Sequence, residues 1–286
     1  MAITIYLSVN LLKLARRRKE AQLKKVHILI TGHTGFLGHY LTATLISQGY
    51  QVTGLSRGKN SNPKITEIQA DLSESSFLNE LEDLSIDGII HAAANGNIDA
   101  CEIDKEASFA INVKAATDLA KYASNNKIPF VFTSSDQVFD GEKGQYAPTD
   151  EARPLNSYGA HKLAAEKEVL SIYPEAVVCR MPLMIGDYGG YEKALVKHLL
   201  SGKEQILFTD EIRSVLEAKD AAQLLTEALN WKGGLYHLPG PKDMNRYELG
   251  VYLAKKHGLD KSLLIPGKQS DINLRVCRPK NATMRR

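Results

Sequence analysis

Residues 26–38 read VHILITGHTGFLG, an apolar run followed by three glycines at intervals of three. The apolar run, residues 26–30, predicts a buried β-strand, and a helical pattern follows the turn over residues 36–48. Glycines at these positions allow a tight turn and let the backbone approach a pyrophosphate, which free N–H groups at the helix N-terminus attract. The stretch therefore predicts a strand–turn–helix unit that binds a dinucleotide. Its binding candidates are Gly32, Thr34, Gly35, Phe36, Leu37 and Gly38.

Apolar runs alternate with helical patterns along most of the chain. Further strands are predicted at residues 51–55, 65–69, 88–91, 129–133 and 176–180, and the main helical patterns after the first cover residues 104–125 and 158–170. Such alternation predicts an α/β fold, a Rossmann-type doubly wound parallel sheet with helices on both faces. We expect a dinucleotide-binding domain over residues 25–180. Residues 181–286 are expected to form mainly a smaller C-terminal substrate-binding lobe. The alternative is that part of this segment returns to the Rossmann sheet.

Composition excludes several classes of function. The 286 residues carry a net charge of +3 with the two signs mixed, so no basic face for nucleic acid is expected. Cys101, Cys179 and Cys277 lie far apart, which predicts neither a metal site nor a disulfide framework and favours a cytoplasmic setting. Residues 1–24 are expected to lie outside the fold. Their apolar part, residues 1–12, is too short for stable membrane insertion, although an amphipathic surface helix is an alternative.

A tyrosine and a lysine four residues apart, Tyr158 and Lys162, are the main candidates for chemistry. On a helix they share one face, and an ammonium beside a phenol lowers the phenol's pKa toward a useful acid or base. Alone, such a pair is more often a solvated helix face. Here a serine pair, Ser134 and Ser135, closes an apolar strand upstream, and the glycine turn comes before both. This order is the one a nicotinamide-dependent oxidoreductase needs.

The end of the second predicted strand indicates which dinucleotide is bound. Ser56 and Arg57 stand where a carboxylate would bind the ribose 2′-hydroxyl of NAD, whereas an arginine accepts the 2′-phosphate of NADP. We therefore expect NADP(H) to be preferred, with NAD(H) as the alternative and Lys59 as a helper. An exposed basic loop without a ligand is the other interpretation. Asp71 is expected either to accept a hydrogen bond from the adenine amino group or to cap the next helix.

The motifs together resemble the extended short-chain dehydrogenases/reductases, and most closely the dTDP-4-dehydrorhamnose reductase group. The resemblance covers nearly everything from Lys25 onward. It rests on Gly32-x-x-Gly35-x-x-Gly38, Ala70-Asp71-Leu72, His91-Ala92-Ala93-Ala94, Asn112-Val113, Ser134-Ser135-Asp136-Gln137-Val138-Phe139-Asp140-Gly141, Tyr158-Gly159-x-x-Lys162, Arg180, Tyr236-His237-Leu238 and Arg278-Pro279.

The resemblance implies a catalytic triad of Ser135, Tyr158 and Lys162. Tyr158 would protonate the substrate carbonyl oxygen as hydride arrives, Ser135 would polarise that oxygen, and Lys162 would bind the nicotinamide ribose and lower the pKa of the tyrosine. The implied substrate is a nucleotide-diphosphate 4-keto-6-deoxysugar, and a homodimer is among the open options. The cofactor-binding positions that the resemblance adds are Leu72, Ala92, Ala93, Ala94 and Asn112.

Departures from the family pattern narrow the choice among the activities found in this family. Gln137 replaces the glutamate that the sugar dehydratases of the family use as a general base, which disfavours dehydration. A sugar-nucleotide epimerase and a non-catalytic regulatory subunit, like that of methionine adenosyltransferase, are the alternatives. His91 is expected to end its strand beside the cofactor rather than to act in catalysis. Arg213 is a candidate for a substrate diphosphate, with a surface ion pair to Asp210 or Glu211 as the other interpretation.

Overall fold

The structure, a computed structural model, describes residues 25–286. Its centre is a seven-stranded sheet. The strands are β1 His27–Thr31, β2 Gln51–Ser56, β3 Thr66–Gln69, β4 Gly88–His91, β5 Phe130–Ser135, β6 Val177–Met181 and β10 Gly234–His237. They lie in the order β3-β2-β1-β4-β5-β6-β10, and every neighbouring pair is parallel, which confirms the predicted doubly wound α/β fold.

Helices cover both faces of the sheet, because its central strands are apolar on both sides. In β1, Ile28 and Ile30 pack on one face and Leu29 on the other, as the alternation of side chains along a strand requires. The helices of this domain are α1 Phe36–Ser47, α2 Ile98–Ile103, α3 Lys105–Phe109, α4 Ala115–Asn126, α5 Ser157–Ile172 and α7 Ala218–Ala228. One face of the sheet packs against α1 and α7, and the other packs mainly against α4 and α5.

The chain after Arg180 divides between the main sheet and a separate lobe. Helix α7 and strand β10 return to the sheet, where β10 pairs with β6. The other elements form the C-terminal lobe, with a three-stranded sheet β11-β9-β7, a two-stranded sheet β12-β8 and its own apolar core. These are β7 Leu183–Ile185, α6 Gly190–Leu200, β8 Gln205–Phe208, β9 Ile212–Glu217, β11 Lys242–Asn245, α8 Arg246–Lys256 and β12 Leu264–Gly267.

The helix predicted at residues 104–125 is interrupted. Asp104 caps α3 by accepting a hydrogen bond from the Ala107 N–H at 2.9 Å, and a π-helical turn, Ala110–Lys114, separates α3 from α4. The turn carries Asn112, whose side chain bonds the backbone of Asn95 and so projects toward the loop after β4. Turns of this kind are frequent at functional sites.

Within residues 25–286, no helix combines the length and the apolar character needed to cross a membrane. The predictions for residues 1–24 fall outside the described residues.

Candidate active site

The glycine turn between β1 and α1 is built by close backbone contacts. Gly32 has φ 72°, and a Cβ there would lie 2.8 Å from the Ala93 Cα. A Cβ on Gly38 would lie 2.1 Å from the Gly32 carbonyl oxygen. Gly35 is the N-cap of α1 and has no side chain to bond the first N–H groups of the helix. The turn thus leaves N–H donors and the positive end of a helix dipole available to an anion.

A cleft of about 750 Å³ lies at the carboxyl ends of the parallel strands, where ligands bind in folds of this type. It brings together the predicted catalytic and cofactor-binding residues other than Asn112, whereas Lys59 and Arg213 do not line it. The residues brought together are Gly32, Thr34, Gly35, Phe36, Leu37, Gly38, Ser56, Arg57, Asp71, Leu72, Ala92, Ala93, Ala94, Ser135, Tyr158 and Lys162. The cleft is also lined by residues that sequence reasoning did not assign to the site, apart from noting Ser134 in the serine pair. Those at the ends of β5 and β6 could have been found from their position at strand ends. The further lining residues are Gly58, Asn95, Gly96, Asn97, Ile111, Thr133, Ser134, Met181, Pro182 and Met184.

Asn112 lies behind the cleft rather than in its wall. Its side chain is buried and accepts from the Asn95 N–H at 2.8 Å while donating to the Asn95 carbonyl oxygen at 3.1 Å. Asn95 itself lines the cleft. The contact of Asn112 with the cleft is therefore indirect, through the loop after β4.

Ser135 and Tyr158 meet where β5 and α5 approach each other. Ser135 ends β5, accepts from the Gln137 N–H at 3.2 Å and donates to the Asp136 carboxylate at 3.2 Å. Tyr158 is the second residue of α5, a helix that Asn156 caps by accepting from the Gly159 N–H at 2.9 Å. Burial raises the pKa of Tyr158 to about 12, although a hydrogen bond with Ser135 acts in the opposite direction. The phenol therefore keeps its proton at neutral pH.

Lys162 is almost completely buried one helical turn after Tyr158. Its Nζ lies 4.2 Å from the centroid of the Phe132 ring, and burial lowers its pKa to about 7, against the opposing charge of Glu166. The net pKa shift of Tyr158 is upward, because burial of the phenol outweighs the groups that lower its pKa. The contribution that the resemblance assigns to Lys162 stays a prediction.

Asp136 and Arg213 form a buried ion pair beside the catalytic candidates. Arg213 Nε donates to Asp136 Oδ2 at 2.7 Å, and Arg213 Nη1 lies 3.7 Å from Glu211 Oε1. All three side chains are at most 5% exposed. Arg213 therefore forms the expected ion pair with Glu211, but in the interior rather than on the surface. Its guanidinium is already held by two carboxylates, which also argues against the predicted pairing with a substrate diphosphate.

Arg57 and Asp71 lie at the other end of the cleft. Arg57 is exposed on the loop after β2, and Lys59 is exposed on the same loop. Asp71 accepts from the Ser73 N–H at 2.9 Å and from the Ser73 hydroxyl at 2.8 Å. The next helical turn begins later, at Ser75, with Glu74 as its N-cap residue. Asp71 thus caps a local turn, and the expectation that it caps the helix is wrong.

His91 ends β4, as expected, and is fully buried. Its Nδ1 lies 2.6 Å from the Thr31 hydroxyl, and its ring stacks on Phe132. Burial, assisted by the charge of Lys162, lowers the pKa of His91 to about 3. This imidazole supports the packing behind the cleft and stays neutral.

A family model and several known proteins match the chain over most of its length. A family model described as the RmlD substrate binding domain matches residues 26–286. A probable low-salt glycan biosynthesis reductase, Agl14 of Haloferax volcanii, is 28% identical over 91% of this chain and 89% of its own length. The methionine adenosyltransferase 2 subunit beta of Rattus norvegicus is 29% identical over 93% of this chain and 82% of its own.

One solved structure is similar to the chain in both fold and sequence. The crystal structure of a hypothetical dTDP-4-dehydrorhamnose reductase from Sulfolobus tokodaii is 28% identical and superposes with a TM-score of 0.79. The match covers 91% of this chain and 92% of that one. The similarity therefore extends through both the main sheet and the C-terminal lobe.

Proposed function

The chain belongs to the family of the RmlD substrate binding domain, and from that premise we propose that it reduces a nucleotide-diphosphate 4-keto-6-deoxysugar with NADP(H). Family and reductase relatives make it an NAD(P)-dependent oxidoreductase of the extended short-chain type. The main sheet holds the nicotinamide dinucleotide, and the C-terminal lobe holds the nucleotide sugar.

One observation carries the proposal: Ser135, Tyr158 and Lys162 line the same cleft as the glycine turn. A dinucleotide with its pyrophosphate at the N-terminus of α1 has room to extend along this cleft toward the three side chains. The bound nicotinamide supplies the hydride. The chain then has to bind the sugar, orient its carbonyl and deliver one proton.

Tyr158 is the proton donor in this proposal. A pKa of about 12 keeps the hydroxyl protonated until negative charge develops on the substrate oxygen. Ser135 hydrogen-bonds the same oxygen and stabilises that charge. Lys162, with a pKa near 7, binds the ribose hydroxyls and supplies positive charge when protonated.

The cofactor preference rests on the loop after β2. Arg57 lines the cleft, and β2 ends in Leu55 and Ser56 without a carboxylate. A guanidinium binds a phosphate through charge-assisted hydrogen bonds. NADP(H) is therefore the preferred cofactor, with NAD(H) as the weaker one.

A regulatory subunit is the second candidate function. It is favoured by the relatives named methionine adenosyltransferase 2 subunit beta. The match to the rat protein of that name covers 93% of this chain. An epimerase, which would retain its dinucleotide tightly, is the third. Gln137 at the position of the dehydratases' glutamate argues against a dehydratase.

NADPH oxidation by the purified protein across a panel of nucleotide-diphospho-4-keto sugars tests the proposal. Stoichiometric consumption of NADPH with one of these sugars is the expected result. A sugar that is isomerised without net NADPH loss would instead indicate an epimerase. Absence of turnover with every sugar, together with stoichiometric co-purification of another enzyme, would favour the regulatory subunit.

A further inference from the structure

The loop from Arg57 to Ser61 is held on the rim of the cleft by side chains of neighbouring strands. The Gln69 amide donates to the Arg57 carbonyl oxygen at 2.9 Å, and the Ser56 hydroxyl donates to the Gly58 carbonyl oxygen at 2.7 Å. The carboxylate of Glu67 accepts the N–H groups of Asn60 and Ser61, each at 2.9 Å. Glu67 thus bonds two successive residues of the loop.

Glu67 also reaches the glycine turn. Its Oε1 accepts from His33 Nε2 at 3.0 Å, and His33 is only 1% exposed. The imidazole packs on Gly54 of β2 so tightly that a Cβ there would lie 2.4 Å from the ring. One carboxylate therefore links the turn assigned to the pyrophosphate with the loop that carries Arg57.

The charge of Glu67 is directed toward the hydrogen-bond donors that surround it. Burial raises the pKa of Glu67, but hydrogen bonds from Asn60, His33 and Ser61 outweigh it, so the pKa is lowered and the group is ionised. Its oxygens face these donors. Arg57, by contrast, lines the cleft, and its charge helps lower the pKa of Asp71.

Backbone geometry adds a reason for the loop to need support. Ser61 has φ 52°, in the left-handed region that non-glycine residues rarely adopt. The bond from its N–H to Glu67 stabilises that conformation. Without Glu67, the loop would be free to leave it.

We propose that Glu67 is a positioning residue for cofactor selection: together with His33 it fixes the loop that presents Arg57 to the 2′-phosphate of NADP(H). The inference rests on the proposed preference for NADP(H). A loop fixed in advance need not be ordered by the ligand, which increases affinity. Only the phosphorylated cofactor uses Arg57, so the affinity for NADPH should depend on Glu67 much more strongly than the affinity for NADH.

Calorimetric dissociation constants for NADPH and NADH, measured on the full chain, test the proposal. Glu67→Gln keeps the shape of the side chain, but its amide N–H group then faces one of the three N–H donors that bind the carboxylate, on His33, Asn60 and Ser61. It should weaken NADPH binding about tenfold, equivalent to about 1.4 kcal/mol, and change NADH binding by less than about twofold. Glu80→Gln, a change at an exposed carboxylate, is the matched control and should alter neither.

A double-mutant cycle shows whether Glu67 acts through Arg57. In an Arg57→Met background, Glu67→Gln should no longer affect NADPH binding. Equal losses for NADPH and NADH, or an undiminished loss in that background, would overturn the proposal. If Glu67→Gln does not fold, Gln69→Leu is the second variant. It removes the exposed hydrogen bond to the Arg57 carbonyl oxygen and should likewise weaken NADPH binding much more than NADH binding.

The wild-type measurements separate two kinds of failure. If the wild type binds NADPH more tightly than NADH and Glu67→Gln has the same ratio of dissociation constants, only the role of Glu67 is contradicted. Wild type that binds both cofactors equally would contradict the NADP(H) preference, and the role of Glu67 would fall with it.

Discussion

Burial sets the protonation of the residues around the cleft. It raises the pKa of Tyr158 to about 12 and lowers that of Lys162 to about 7. The four-residue spacing placed both residues correctly on α5 and beside the cleft. It carried no information on their burial, which depends on residues distant in the chain such as Phe132. The direction of the tyrosine's pKa shift therefore could not be predicted from the sequence.

Gly35 tests the assignment of the pyrophosphate site. A Cβ at this position meets only the Gly32 carbonyl oxygen, at 3.1 Å, so Gly35→Val should fold. Its methyl groups would occupy the space before the N-terminus of α1. We expect calorimetry to show NADPH affinity reduced by at least about 100-fold, with the melting temperature little changed.

Gly38→Val is the contrasting variant. A Cβ there lies 2.1 Å from the Gly32 carbonyl oxygen, so the turn itself must shift and the melting temperature should fall. Normal NADPH affinity in folded Gly35→Val would mean that the pyrophosphate binds elsewhere.

At the scale of elements, helix α5 positions the catalytic candidates through its first turn. Asn156 caps this helix, and its side-chain amide donates to the Cys277 carbonyl oxygen at 3.1 Å. Asn156→Ala should lower the free energy of unfolding by about 1–2 kcal/mol. It should also lower turnover, because Tyr158 lies in the released turn.

Asn245→Ala is the matched control for the cap. Asn245 caps α8 in the C-terminal lobe and accepts from the Glu248 N–H at 2.8 Å. Urea unfolding should show a similar loss of stability with kcat largely retained. Equal loss of kcat in both variants would show that the cap of α5 has no special role in positioning Tyr158.

The first six strands of the main sheet were predicted as elements, most of them because they are short apolar runs between turn residues. Their predicted bounds differ from the structure by at most two residues, as in β5, Phe130–Ser135. Strand β10 and the strands of the C-terminal lobe were not predicted. The break in the predicted helix at residues 104–125 was not predictable. It depends on the contact between Asn112 and Asn95, which involves the loop after another strand.

At the scale of the whole molecule, the main sheet and the C-terminal lobe are joined by buried charges. Asp136 follows β5 and Arg213 lies in β9, 77 residues later, yet their side chains pair in the interior. Local sequence around Arg213 offers two nearer carboxylates, Asp210 and Glu211, so the distant partner could not be predicted. The return of α7 and β10 to the main sheet was likewise open from periodicity alone.

Two buried imidazoles should make the protein sensitive to acid. Burial lowers the pKa of His91 to about 3 and that of His237 to about 4, from 6.5 in an exposed histidine. Below pH 6.5 the unfolded chain binds protons that the folded protein does not. Stability therefore rises with pH across this range and is lost as the pH falls from 6.5 toward 4.

His91→Gln removes one of these groups. The slope of unfolding free energy against pH below neutrality should decrease by up to about 1.4 kcal/mol per pH unit, the value for one proton. Urea unfolding midpoints at several pH values measure it. A slope identical to that of wild type would mean that His91 is protonated in the folded protein.

The turnover of Tyr158→Phe measures whether Tyr158 is the proton donor. The variant keeps the ring and removes only the hydroxyl. In a chemistry-limited assay on the keto-sugar that wild type reduces, kcat should fall by about 10²–10⁴-fold. NADPH affinity should be nearly unchanged, and Tyr173→Phe, at the far end of α5, should keep full activity. Full turnover by Tyr158→Phe would show that Tyr158 is not the proton donor.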